Sequence, residues 1–176
     1  MKRAAFYLLF TTLILTSCRY SKKPKTFENK NVNIQYPSYL FETDDVYPSK
    51  QTLLQLKNDY RDVYFILVDH GMKPGDNGFE IMSDSIMNQL KRNLTELNIE
   101  ANDTMFTTVN NLKVKEYQLS GILSSEKQDH RFEFYVDVFE TPKGHIYQTA
   151  GWLLRHKRKL WQEDLKKAAL SLKVIE

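Results

Sequence analysis

The chain has 176 residues, 41% of them hydrophobic, and carries 25 Lys and Arg against 22 Asp and Glu, a net charge of +3. That length accommodates one domain with a sizeable core, and so small an excess of positive charge is no footprint for nucleic acid. A single cysteine excludes an intrachain disulfide, so burial of apolar side chains has to hold the fold.

In chain order, the first segment is basic and then apolar. Lys2 and Arg3 precede the run Ala4 to Leu15, and Thr16-Ser17 stand before Cys18. The run is well short of the roughly 20 residues of a membrane span and has the proportions of a signal peptide. Leu15-Thr16-Ser17-Cys18 resembles the lipobox of bacterial lipoproteins. The resemblance implies cleavage after residue 17 and a diacylglyceryl thioether, with a further fatty acid such as palmitate, on Cys18. Acylation also consumes a thiol that would otherwise be a liability outside the cytoplasm. One acyl chain anchors only marginally, whereas two or three hold a protein stably.

Residues 18–31 are polar and basic and include Pro24, with no apolar period, which predicts a flexible tether behind the lipidated cysteine. The excess of positive charge sits in these leading segments: 18 basic against 21 acidic residues remain once residues 1–31 are set aside. Arg19 follows Cys18. By resemblance to known sorting rules, which place Asp there for inner-membrane retention and acidic residues for surface display, the expected location is the outer membrane, facing the periplasm.

Residues 32–176 read as a single domain. Val32-Asn33-Ile34-Gln35-Tyr36 alternates and stops at Pro37, a half-buried strand. A second strand is expected over 51–57. Val63 to Val68 is apolar throughout, as in a strand covered on both faces. His70 to Gly78 reads as a loop. Asn77 and Glu80 resemble a capping box opening a helix from Phe79 to Leu97, with Met82, Ile86, Leu90, Leu94 and Leu97 as its apolar stripe. Strands follow over 112–123, 131–140 and 145–154, with turns at 124–129 and at Thr141-Pro142-Lys143-Gly144. A last helix over 157–170 has Leu160, Trp161, Leu165, Ala168 and Ala169 as its core stripe, and Leu172 with Val174 ends the chain as a short strand. The fold class is α+β, an antiparallel sheet sandwiched by helices.

Val32 to Leu40, the paired strands over Phe132 to Leu154, and the closing helix that runs into Leu172 and Val174 resemble PsbP-like domains. The resemblance covers most of the domain and implies a binding or assembly subunit. A cystatin-like α+β domain fits the same pattern of elements.

The motifs of known enzymes are missing: there is no nucleophile elbow, no H-E-x-x-H, no dinucleotide fingerprint and no phosphate loop. No catalytic residue, metal site or cofactor is therefore expected. The candidate ligand-binding pair is Asp69-His70, at the end of the apolar strand, with Asp76 nearby in the loop to Gly78. Adjacent residues on a strand point to opposite faces, which argues against the two sharing one ion. His130, His145 and His156 read as solvated surface. Tyr60, Tyr64, Tyr135, Tyr147 and Trp152 are aromatic candidates for a partner's contact wherever they are left open. The function expected is that of a cell-envelope lipoprotein, a non-enzymatic module that binds or helps assemble another envelope protein. The alternative is a small-ligand or metal-binding lipoprotein using Asp69 to Gly78.

Overall fold

The computed structural model of the chain describes residues 23–72, 75, 77–102, 107–124 and 129–175. The signal peptide, Cys18, Asp76 and residues 125–128 of the turn expected over 124–129 lie outside the described residues.

Eleven described strands and two helices make up the fold. Strands β1 (Lys25–Glu28), β2 (Val32–Tyr36) and β11 (Lys173–Val174) form a small sheet in the order β1-β2-β11. The large sheet has eight strands. Seven run in the order β3 (Phe41–Glu42), β4 (Thr52–Asn58), β5 (Val63–Met72), β10 (His145–Leu154), β9 (Asp129–Glu140), β8 (Leu112–Ser124) and β6 (Thr95–Asn102). The eighth, β7 (Thr107–Val109), pairs with β8 in a tight hairpin. Asn110 and Asn111 make that turn with φ of 52° and 65°, the left-handed pair that a two-residue hairpin loop requires. The described pairings are all antiparallel.

Alternation along the strands divides the core. On one face of the large sheet, Val63, Phe65, Leu67, Val114, Phe139 and Leu153 pack with Val32 and Ile34 of β2. They also meet Leu165, Ala168 and Ala169 of helix α2 (Arg158–Leu170). On the other face, Ile66, Val68, Leu119, Val136 and Val138 lie under Phe79, Ile86 and Met87 of helix α1 (Gly78–Asn93). β5 therefore buries both of its faces, which is why its sequence does not alternate. Gly151 of β10 lets α2 come close: a Cβ there would stand 3.2 Å from both methyl carbons of Leu165. The last turn of α2 leaves carbonyls without helical partners; the Asn110 amide donates to those of Leu170 and Leu172, tying the β7–β8 hairpin to the helix end.

Several expectations are corrected. The tether is shorter than residues 18–31, because Lys25–Glu28 pairs with Asn33–Tyr36 as β1, so the domain begins by Lys25. Four mostly exposed residues, with Phe27 the one apolar side chain among them, carry no periodic signal, and the pairing is supplied by β2. His70 and Gly71 belong to β5, which runs through Met72 before any loop begins. The first helix ends at Asn93 and not at Leu97, since Thr95–Asn102 is captured as a strand by β8. Asn77 precedes α1, yet its side chain makes no capping hydrogen bond. Leu160 is 67% exposed and does not belong to the core stripe of α2.

Candidate functional site

Asp69 and His70 lie where β5 departs from regular pairing with β10. The register runs Asp69↔Tyr147 and then Gly71↔Ile146, so His70 is the extra residue of a bulge. Gly71 makes the irregularity possible with φ of +73°, a conformation that costs a residue with a side chain far more. The carboxylate of Asp69 accepts from the Gly71 amide at 2.7 Å and from His145 Nε2 at 2.6 Å. His70 Nε2 stands 2.8 Å from Gln148 Oε1. The two candidate residues thus engage different partners and do not converge.

His145 is the residue that the sequence reading placed on the solvated surface. It follows the Thr141–Gly144 turn, lies opposite Met72, and stacks on Tyr147 with ring centroids 4.6 Å apart. Thr141 Oγ1 accepts from the His145 amide at 3.0 Å, holding the turn against the strand. Tyr147 is buried, and burial followed by the Asp69 charge pushes its hydroxyl up to about 12, so it stays protonated at any physiological pH. Thr141, His145 and Tyr147 border an open recess of about 190 Å³ whose walls also include Asn31, Met72, Lys143, Val174 and Ile175. Met72 and Ile175, 56% and 43% exposed, give it an apolar rim. Pockets that enclose small molecules run from about 300 Å³ upward, so this recess fits a single protruding side chain better than a whole ligand.

A second polar cluster lies between α2 and the large sheet. Glu133 and Asp137 of β9 point into the interface beside Glu116, Gln118 and Ser120 of β8. Glu133 is wholly buried; Arg155 Nε stands 3.3 Å and Arg158 3.9 Å from its Oε1, without aligned hydrogen bonds. Burial and then the Glu100 charge raise its pKa, against the pull of Arg158, Arg155 and Arg131. Glu100 itself is held by Arg158 at 2.6 Å and by Gln118 at 3.0 Å. Asp137 accepts from Thr149 Oγ1 at 3.3 Å, and burial, with a smaller push from Glu116, raises it to about 7. Positions four apart on a strand are separated by roughly 13 Å, too far for the two-carboxylate hydrolysis of glycosides. The cluster joins the helix to the sheet.

Of the aromatic candidates, Tyr135 and Tyr147 are buried, Tyr64 and Trp152 stack half-buried at 5.6 Å, and Tyr60 is 96% exposed. His130 and His156 line an open basic recess with Arg131, Leu154 and Arg155. Among the described residues, no three His, Cys, Asp or Glu side chains are grouped as metal ligands, and no helix is long and apolar enough to cross a membrane.

No protein-family model matches the sequence, and no curated protein sequence does either. Solved structures do match. The chain is similar to the PsbP protein of the cyanobacterium Synechocystis sp. PCC 6803, with a TM-score of 0.62 at 10% identity over 92% of this chain and 99% of that one. It is similar to the Ran-binding protein Mog1p of Saccharomyces cerevisiae, with a TM-score of 0.57 at 8% identity over 89% and 97%. It also resembles LpqN, involved in cell envelope biogenesis of Mycobacterium tuberculosis, with a TM-score of 0.54 at 9% identity over 86% and 90%. At these identities the likeness is one of fold: the chain has the α+β architecture of PsbP and Mog1p.

Proposed function

We propose that the protein is a lipoprotein of the cell envelope, anchored through Cys18, whose PsbP-like domain binds another envelope protein and carries out no reaction on it. The observation that carries this reading is the recess beside Asp69 and His145. His145 in its wall is held by the 2.6 Å pair with Asp69, while Met72 and Ile175 give it an exposed apolar side. A wall residue held in place beside exposed apolar edges suits the capture of one anchoring side chain. The fold is compatible with the reading, since it also serves a Ran-binding protein and a protein of envelope biogenesis. The small-ligand alternative is disfavoured by the size of the recess, and a metal there by the separation of Asp69 from His70.

The test is co-purification after mild detergent extraction. Wild type brings down one envelope protein in near-equal amount, and Met72→Glu, which puts a charge on the rim, loses it while melting at the same temperature. Wild type emerging alone, or a partner retained by the variant, would sink the reading.

For location we propose the outer membrane with the domain facing the periplasm, on the strength of Arg19 after Cys18. Protease added to intact cells then leaves the chain whole, and after permeabilisation it cuts before Lys25, where pairing begins. Cutting in intact cells would put the domain on the cell surface instead.

A further inference from the structure

One end of the large sheet is unlike the rest of the surface. The register sets Phe41 opposite Lys57, Lys57 opposite Tyr64, and Tyr64 opposite Trp152. β3, the β4–β5 turn and the junction of β10 with α2 therefore share that end. At its centre the Arg61 guanidinium lies 4.4 Å from the rings of both Tyr39 and Trp161, and Lys157 pairs with Asp62. Around this fixed group three large apolar side chains stand in solvent: Tyr60 at 96% exposure, Leu160 at 67% and Phe41 at 58%. Monomeric soluble proteins seldom gather such groups without a use for them.

The same end carries a run of basic residues. Arg155-His156-Lys157-Arg158-Lys159 crosses it without an acidic residue. Cations in the first turn of a helix oppose its dipole, so Arg158 and Lys159 are not there to stabilise α2 through the dipole. Arg155 and His156, with His130 and Arg131, border an open recess of about 340 Å³. Acidic groups nearby pair with most of these bases: Asp45 and Asp59 with Lys57, Asp62 with Lys157, Glu96 with Arg131, and Glu100 and Glu133 with Arg155 and Arg158. The chain also enters the fold here, since Lys25 of β1 lies 5.1 Å from the Phe41 ring.

We propose that this end of the domain docks on an anionic lipid surface. Tyr60, Leu160 and Phe41 enter the headgroup layer, and Lys25 and Lys159 meet the lipid phosphates. The inference rests on reading Cys18 as the anchor. Lys25 follows Cys18 by seven positions, a path of at most about 25 Å even when fully extended. A domain on so short a lead keeps the end that carries Lys25 close to the bilayer, and that end has the aromatic and basic chemistry that interfaces select.

The experiment uses the chain from residue 18 onward with Cys18→Ser, which has no acyl group, in sedimentation with vesicles. Binding is expected to vesicles of equal parts phosphatidylcholine and phosphatidylglycerol and not to phosphatidylcholine alone, with release at high salt. Lys159→Ser lowers the partition constant about fivefold, as for one basic residue near the surface, and Tyr60→Ser also weakens it. Ile81→Ser, at an exposed site on α1, leaves it unchanged, and circular dichroism checks that each variant is folded. Absence of binding to the anionic vesicles, equal binding to neutral ones, or equal weakening by Ile81→Ser would overturn the proposal. Palmitate on Cys18 in cells without vesicle binding would keep the anchor and remove the docking surface. Vesicle binding without palmitate would keep the surface and remove the anchor.

Discussion

Asp137 turns burial into a pH dependence. Its carboxyl ionises near 4 in an unfolded chain and is raised to about 7 in the fold, mainly because the sheet and α2 exclude water from it. Between those values the folded state holds the proton that the unfolded state has released, so stability from this group falls as pH rises from about 4 to about 7. The slope reaches at most about 1.4 kcal/mol per pH unit. Urea unfolding measured across that window should show the decline in wild type and a flatter profile in Asp137→Asn. An unchanged slope in the variant would assign the dependence to other groups. Single residues also mark how far the sequence could be read. Asp69-His70 was visible as a polar pair ending an apolar run, whereas the true partner of Asp69, His145, was not. Their meeting depends on a bulge, and an isolated glycine inside a strand pattern, Gly71, is the one signal that points to it.

At the scale of elements, strands with two-sided or alternating burial were legible, since period 2 and unbroken apolar runs are properties of the sequence itself. β10 occupies His145–Leu154, the range its turn signal and pattern imply. β1 and β6 were not legible for the opposite reason. Lys25–Glu28 is too short to show a period and Thr95–Asn102 is a mostly polar segment low in β-formers, and each becomes a strand because a neighbour offers unpaired backbone groups. Glu96 in β6 even takes φ of 47°, where the register with β8 breaks between Thr95 and Asn98. The packing of α2 on β10 gives a direct test. Leu165 is 1% exposed and hemmed in by the core, so it has little room to yield to a new methyl group at position 151. Gly151→Ala should therefore destabilise the protein by about 1–3 kcal/mol, read from the urea midpoint. A neutral or stabilising effect would show that α2 can shift outward without loss.

For the whole molecule, a closed two-faced core and a short lead have one joint consequence. The domain has its own hydrophobic interior on both sides of the large sheet, so the membrane is not needed to complete it. On the proposed reading, retention in the envelope falls to Cys18, and the docking end sets how the domain sits. The fold class was legible because helix and strand periods arrange the elements, while the partner was not, because a recess arises from loops and a bulge that only the folded chain brings together. Incorporation of labelled palmitate into wild type and Cys18→Ala, followed in growing cells, tests the anchored-module account most directly. The account predicts label in the mature wild-type protein and an unprocessed, unlabelled precursor for the variant; equal labelling of the two would contradict it.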